Sequence, residues 1–219
     1  MKTDYLKNPY AMFDFDGTLV DSNAVYTRFC EEFVARYGKT LPEDFVEKAI
    51  PMSFEQCCDA LNDVIDRRES TSYVIEEFDL YTSDFCRNHV QFKPYALQYL
   101  QKLYKEGIRI YVVSSSPEEH IRAALSRLGG MPYVERIVTP ALVGGLGKSK
   151  PDIYRKAAEL MGAESYDSIT FYDDSLDALR TAMSVGMKTV GVYDDAGANN
   201  ALAMKQYCTG YIISFNELL

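Results

Sequence analysis

Residues 10–22, YAMFDFDGTLVDS, determine how the rest of the chain is interpreted. Residues 10–15 form a short run that is apolar and aromatic apart from one aspartate, which predicts a buried strand of a parallel sheet. Asp14 and Asp16 end that strand, and residues two apart on a strand point to the same face. Two carboxylates about 4 Å apart repel by roughly 4 kcal/mol at an intermediate dielectric. The pair indicates a bound cation or a shared proton, although an acidic turn after a strand would also explain an isolated Asp-Gly.

The composition limits the partners of this chain. Its 219 residues suffice for one α/β domain with a sizeable core, or for such a core with a modest insertion. The 23 Lys and Arg stand against 32 Asp and Glu, which gives a net charge of −9. This balance disfavours nucleic acid and anionic membranes as partners. An anionic substrate would therefore have to be attracted by a local site.

The cysteines and the N-terminal residues predict a cellular location. The five cysteines show no spacing of a Cys/Cys or Cys/His metal site, so we expect reduced thiols. The N-terminal residues lack an apolar signal core, and no apolar run approaches membrane-spanning length. We expect a cytoplasmic protein with no membrane partner. The 17 Tyr and 11 Phe could serve a core or an interface, and we expect a monomer or a weak homodimer.

A helical block follows the first strand. Apolar residues recur at every fourth position from Val25 to Phe33, and further stretches of the same kind follow. No segment of this block has the pattern of a strand. We therefore expect a core domain made of residues 1–21 and 91–219, interrupted by a helical domain of residues 22–90.

From Lys93 onward single strands alternate with single helices. Strands are predicted at 108–113, 136–138, 169–172, 188–192 and 210–213, and helices at 97–107, 117–128, 151–161, 175–185 and 196–206. This alternation predicts an α/β fold with a doubly wound, Rossmann-like parallel sheet. Ligands of such sheets bind beyond the carboxyl ends of the strands.

Serines follow the second predicted strand of the sheet. Ser116, Pro117 and Glu119 have the spacing of a capping box at a helix start. That box does not use Ser114, whose hydroxyl stands directly at the strand end. A hydroxyl donor beside the N–H groups of a helix start suits a phosphoryl group.

Two further polar segments lie at the ends of predicted elements. One precedes the helix at 151–161, and the other follows the strand at 169–172. Lys148 and Lys150 precede the helix at 151–161, where lysines are usually solvated. Asp173 and Asp174 end a strand, and a cap at Asp174 with an acidic third helical residue, Asp177, would be a local explanation. Three carboxylates around one helix start are more than capping needs.

Together these four segments resemble the haloacid dehalogenase-like (HAD) hydrolase superfamily, whose first motif is similar to DxDGTLxDS. The resemblance implies that Asp14 is the nucleophile and Asp16 the general acid/base, and that Ser114 hydrogen-bonds the transferring phosphoryl. The third motif resembles K-P-x-P-(D/E)-(I/V)-(F/Y), which selects Lys148 over Lys150 as the active-site cation. Ser149 departs from that pattern, because a proline is usual there.

The resemblance also implies a magnesium site. Asp174 takes the position of the principal acidic ligand and Asp173 that of an auxiliary carboxylate, and Asp14 and the backbone carbonyl of Asp16 complete the protein ligands for Mg²⁺. Asp14 would attack phosphorus to form an aspartyl-phosphate, and Asp16 would protonate the leaving oxygen and then activate water. The helical block, residues 22–90, matches the cap of the phosphatase branch that contains proteins similar to phosphoglycolate phosphatase and β-phosphoglucomutase.

The choice of reaction within the superfamily rests on a few positions. Asp16 disfavours dehalogenation, since dehalogenases of this fold lack the second aspartate. Phosphonate hydrolysis needs a cap lysine, and Lys39 and Lys48 lie in no recognisable context. A sugar phosphomutase resembling β-phosphoglucomutase is the alternative, although residues 49–54 carry no positive charge and Pro117-Glu118 replaces the usual Lys-Asn. We expect a phosphomonoesterase acting on a small-molecule phosphate ester, with a non-catalytic binding module as a further alternative.

Three residues are candidates for binding the substrate beyond its phosphate. Ser115 lies beside Ser114 at the strand end, and Tyr26 and Phe54 belong to the helical block. Packing in the core of the cap is the alternative role of Tyr26 and Phe54.

Overall fold

Six parallel strands form one sheet in the described part of the chain. The computed structural model describes residues 7–49, 52, 54–196 and 200–219. The strands are β1 (Tyr10–Phe13), β2 (Arg109–Val113), β3 (Arg136–Val138), β4 (Ile169–Asp173), β5 (Lys188–Val192) and β6 (Gly210–Ile212). Their order is β3-β2-β1-β4-β5-β6, and all neighbours are parallel. The predicted doubly wound parallel sheet is confirmed.

The apolar side chains of β1 fix its central place in the sheet. Met12 is aligned with Tyr111 of β2 on one side and with Phe171 of β4 on the other. Phe13 stacks on Tyr172 with ring centroids 4.4 Å apart. Each fully buried apolar side chain contributes about 1.5–3 kcal/mol, so this register is strongly specified. It brings the carboxyl ends of β1 and β4 side by side.

The described helices follow the predicted pattern with shifts at their ends. They are α1 (Ala24–Ala35), α2 (Phe45–Ala49), α3 (Phe54–Val64), α4 (Thr71–Asn88), α5 (Ala96–Lys105), α6 (Glu118–Arg127), α7 (Pro151–Met161), α8 (Leu176–Ser184) and α9 (Ala201–Tyr207). α9 starts later than the predicted residue 196, and residues 197–199 lie outside the described residues. α7 and α8 pack Ile153 and Leu179 into the same buried cluster as Met12 and Phe171.

The chain divides into two units. Residues 1–22 with 90–219 form the core unit, and residues 23–89 form the helical unit. Each predicted boundary lies one residue away from these junctions. At this junction the Asp21 N–H donates to the Gln91 carbonyl at 3.0 Å, so the outgoing and returning segments of the core unit lie together.

The helical unit has its own apolar core. Phe29 of α1 meets Phe78 of α4 edge to face, with centroids 5.1 Å apart. Leu61 of α3 and Val74 of α4 are buried in the same cluster. All five cysteines, each within the described residues, are free thiols. Among the helices of the described chain, none has the length and apolar character to cross a bilayer.

Candidate active site

Asp14 directly follows β1 at the carboxyl edge of the sheet. Its side chain is buried, and its N–H donates to the Tyr172 carbonyl at 2.9 Å. The ladder between β1 and β4 therefore extends as far as Asp14. Its carboxylate is held beside the end of β4, where Asp173 completes the neighbouring strand.

A tight turn after Asp14 positions the second aspartate. Gly17 adopts φ +72°, a conformation that favours glycine. The N–H groups of Leu19 and Val20 both donate to the Phe15 carbonyl at 3.0 Å. The turn reverses the chain, so that the Ser22 hydroxyl donates to Oδ1 of Asp16 at 2.7 Å.

The predicted capping box at Ser116 is wrong. α6 begins at Glu118 with Pro117 at the N-cap, and no side-chain cap hydrogen bond is formed there. The Ser116 hydroxyl instead donates to Oδ2 of Asp16. The Ser116 N–H donates to Oγ of Ser114 at 3.1 Å. Asp16 thus receives a hydroxyl on each carboxylate oxygen.

Lys148 lies between two buried carboxylates. Its Nζ is 2.6 Å from Oδ1 of Asp14 and 2.8 Å from Oδ2 of Asp173. Burial alone would lower the pKa of Lys148, but the two carboxylates outweigh burial and raise it above its ordinary value, so the ammonium stays charged. Lys150 is exposed at the N-cap of α7 and lies outside this cluster.

The carboxylates carry more negative charge than Lys148 offsets. Burial raises the pKa of Asp14 well above its ordinary value; Lys148 opposes that rise, and Asp173 and Asp174 add to it. Burial also raises the pKa of Asp173, against the lowering effect of Lys148. Three carboxylates facing one ammonium favour a further proton or a cation.

The oxygen set fits a magnesium ion. One carboxylate oxygen from each of Asp14, Asp173 and Asp174 lies within 4.8 Å of the others. Hard oxygen ligands of this kind are those that Mg²⁺ prefers. Both oxygens of Asp173 already have protein partners, since Oδ1 accepts from the Ser175 N–H at 2.7 Å and Oδ2 faces Lys148. The three carboxylates could together hold a metal ion, and the two partners of Asp173 are consistent with the auxiliary role expected for it.

The Thr18 side chain connects the turn after β1 to Asp174, which directly follows β4. Its hydroxyl donates to Oδ1 of Asp174 at 3.1 Å and accepts from the Asp174 N–H at 3.0 Å. Ser175, not Asp174, is the N-cap of α8 and accepts from the Ala178 N–H. The local capping explanation for Asp174 is therefore wrong. Sequence reasoning missed Thr18, although it belongs to the quoted motif.

Tyr154 is a second residue that the sequence did not single out. Its hydroxyl lies 3.0 Å from the carbonyls of both Lys148 and Ala178, which share its one proton. The ring is fully buried. This side chain therefore ties the backbone at Lys148 to α8, and its signal was the final aromatic position of the third motif.

The remaining candidates do not all join this cluster. Ser114 is buried at the end of β2, whereas Ser115 is exposed. Tyr26 and Phe54 belong to the helical unit and are about half exposed, at 43% and 46%. Both rings contact Phe78, with centroid distances of 5.6 and 4.8 Å. Within residues 49–54, which carry no charge in the sequence, residues 50, 51 and 53 lie outside the described residues.

The chain has relatives among known proteins and solved structures. The chain matches the family described as "Haloacid dehalogenase-like hydrolase" over residues 11–192. It is 22% identical over 196 residues to the "Phosphorylated carbohydrates phosphatase" of Thermotoga maritima, covering 87% of this chain and 88% of that protein. It is 25% identical over 194 residues to the "Probable pseudouridine-5'-phosphatase" of Drosophila melanogaster, covering 86% and 83%. The solved structure of a "HAD hydrolase, family IA, variant 3" from Entamoeba histolytica has the same fold, with a TM-score of 0.77, 22% identity and coverage of 96% and 95%.

Proposed function

Because this chain belongs to the haloacid dehalogenase-like hydrolase family, we propose that it is a Mg²⁺-dependent phosphomonoesterase that works through an aspartyl-phosphate. It is a phosphoric monoester hydrolase, since relatives across most of its length are named phosphatases. Those relatives are named for phosphorylated carbohydrates and a nucleotide, so we propose a small phosphorylated metabolite as the substrate.

The contact between Lys148 and Asp14 is the observation that carries the proposal. A phosphate dianion and an aspartate nucleophile repel each other, so the attack needs fixed positive charge between them. The ammonium of Lys148 lies 2.6 Å from Oδ1 of Asp14 and is held there by Asp173. It can offset the charge of the incoming phosphoryl oxygens without leaving the nucleophile.

The proposed reaction proceeds in two steps. An oxygen of Asp14 bonds to phosphorus while the bond to the leaving oxygen breaks, and that oxygen takes a proton from Asp16. Water then attacks phosphorus and gives a proton to Asp16, which releases phosphate and restores the Asp14 carboxylate. The hydroxyls of Ser22 and Ser116 hold the Asp16 carboxylate for both proton transfers.

Five residues would hold the metal and the phosphoryl group. Asp14 and Asp174 would bind Mg²⁺ directly, together with the predicted Asp16 carbonyl, and Asp173 would support them. When bound, the ion would neutralise the acidic residues and polarise the phosphoryl oxygens. Ser114 stands at the strand end, where its hydroxyl can donate to the phosphoryl group.

Substrate selection and location complete the proposal. Ser115, Tyr26 and Phe54 are proposed to contact the part of the substrate beyond the phosphate. Exposed aromatic rings such as Tyr26 and Phe54 offer flat apolar surface to a ligand. We propose a cytoplasmic location, which the five free thiols support.

The test is phosphate release from a panel of sugar, glycolytic and nucleotide monophosphates, with and without Mg²⁺. Asp14→Asn should abolish release while the protein stays folded, and Asp177→Asn is the control, because Asp177 is exposed. Lys148→Met should lower kcat/KM by about 10²-fold or more, whereas Lys150→Met should stay near wild type. Metal-independent release, or release that survives in Asp14→Asn, would contradict the mechanism.

The same panel addresses the alternatives. β-Glucose 1-phosphate is included with a bisphosphate activator, and conversion to the 6-phosphate faster than hydrolysis would indicate a phosphomutase. Absence of turnover in a folded wild-type protein that still binds phosphate would favour a binding module.

A further inference from the structure

Lys93 is a partly buried lysine at the point where the chain returns to the core unit. Its side chain is only 14% exposed. The Lys93 N–H donates to the Leu19 carbonyl at 2.9 Å. Its backbone therefore pairs with the turn that carries Asp16.

The ammonium of Lys93 contacts the same turn a second time. Nζ donates to the Gly17 carbonyl at 2.6 Å. It also donates to the Tyr193 carbonyl and to Oδ2 of Asp194, both at 2.7 Å. An ammonium has three N–H donors, and here three acceptors from two separate segments occupy them.

Asp194 fixes that ammonium at the carboxyl edge of the sheet. It follows β5 and is 6% exposed. Its Oδ1 accepts from the Ala196 N–H at 3.0 Å, while Oδ2 pairs with Lys93. A buried ion pair is poor evidence for stability, because two apolar residues often stabilise a fold as well. The ammonium of this pair also donates to the Gly17 carbonyl, so the pair holds the conformation of the turn that carries Asp16.

The Gly17 carbonyl is a sensitive point of that turn. Gly17 directly follows Asp16 and adopts φ +72°, and because it lacks a Cβ its backbone can adopt more conformations than that of other residues. The Gly17 N–H donates to Val20 at 2.9 Å, so Lys93 fixes the remaining polar group of this residue. Rotation there would displace the Asp16 carboxylate from Ser22 and Ser116.

We propose that Lys93, held by Asp194, is a positioning residue for the proton transfers of Asp16. The proposal rests on the proposed phosphatase activity. Lys93 touches no reacting atom; it acts through the Gly17 carbonyl. An alkyl phosphate has a poor leaving group and needs the proton from Asp16, whereas an aryl phosphate such as p-nitrophenyl phosphate needs it far less.

The test compares kcat/KM for glycerol phosphate and p-nitrophenyl phosphate in the full-length protein with saturating Mg²⁺. Lys93→Met should lower the value for the alkyl phosphate by about 10-fold or more and the value for the aryl phosphate by at most about 3-fold. Asp16→Asn shows the leaving-group dependence that loss of the acid produces. Lys102→Met is the matched control, because Lys102 also binds backbone carbonyls, those of Leu218 and Leu219.

Thermal unfolding of each variant separates positioning from stability. If Lys93→Met does not fold, kcat/KM for the same two substrates is measured with Asp194→Asn instead. That variant keeps the ammonium of Lys93 and removes the charge that holds it. Equal losses on both substrates, or a lower melting temperature with unchanged kinetics, would overturn the proposal. A wild-type protein without turnover of either ester would instead contradict the proposed function.

Discussion

The hydroxyl of Ser116 donates to Oδ2 of Asp16, from a position 100 residues further along the chain. Ser22 donates to Oδ1 of the same carboxylate at 2.7 Å. Two neutral donors, one from the turn after β1 and one from the loop after β2, thus fix the plane of this carboxylate. Proton transfer depends on such alignment, because the acid must reach the leaving oxygen within hydrogen-bond distance.

We expect Ser116→Ala to lower kcat without a matching change in KM. A hydrogen bond to a charged group contributes about 1.5–3 kcal/mol, so a loss of roughly 10-fold or more is expected if the bond aligns Asp16 in the transition state. Steady-state kinetics on an alkyl phosphate measure it, and Ser22→Ala should act in the same direction.

Ser126→Ala is the control for Ser116→Ala, because Ser126 is an exposed serine on α6, the helix that follows Ser116. A double variant, Ser22→Ala with Ser116→Ala, should lose less than the product of the two single losses if both hydroxyls serve one carboxylate. Unchanged kcat in Ser116→Ala would refute the alignment role.

Local sequence signals predicted much of the fold. α7 runs from Pro151 to Met161, as expected for a proline at the first helical position and a glycine at the end. Gly162 adopts φ +66° there, which is the usual C-terminal cap. The bounds of β5, Lys188–Val192, also match the predicted strand, and its last four residues are buried as expected for a parallel strand inside the sheet.

Long-range partners explain what the sequence could not predict. The spacing at Ser116 satisfies a capping rule, yet α6 begins only at Glu118 and the Ser116 hydroxyl donates to Asp16, a partner 100 residues away that local spacing cannot reveal. Thr18 and Lys93 likewise obtain their roles from Asp174 and Asp194, which are distant in sequence. Motif resemblance identified the acidic residues, but it could not identify the groups that orient them.

Thr18→Val should weaken the activation by Mg²⁺. The Thr18 hydroxyl orients Asp174, and loss of such a supporting hydrogen bond typically costs 10- to 100-fold in metal affinity. We expect the Mg²⁺ concentration for half-maximal activity to rise by about 10-fold, with a smaller effect on kcat at saturating metal. Thr181→Val on α8 is the control, and an unchanged Mg²⁺ requirement in Thr18→Val would count against this role.

Tyr154→Phe should destabilise the core unit. The substitution keeps the buried ring but leaves the carbonyls of Lys148 and Ala178 without their hydroxyl donor. The free energy of unfolding should fall by about 1–3 kcal/mol, measured by denaturant titration. Tyr104→Phe, at a ring that is 57% exposed, should have almost no effect. Equal stability of the two variants would show that the Tyr154 hydroxyl is dispensable.

The acidic cluster predicts how pH and Mg²⁺ together set stability. Burial raises the pKa of Asp14 above its ordinary value of 3.8, so above about pH 4 the metal-free folded state binds more protons than the unfolded state. The contribution of Asp14 to the stability of the metal-free protein therefore falls as the pH rises from about 4 towards the raised pKa of Asp14. Asp14→Asn removes this titration, so in EDTA wild type should lose stability relative to the variant between pH 4 and pH 8.

Added Mg²⁺ should reverse that trend. The ion binds carboxylates without protons, so the rise in melting temperature that it causes in wild type should be larger at pH 8 than at pH 5. In Asp14→Asn the rise should be small at both pH values, because one of the two proposed direct carboxylate ligands is missing. A rise that is equal in both proteins, or larger at pH 5, would mean that the ion binds elsewhere and that Asp14 is not its ligand.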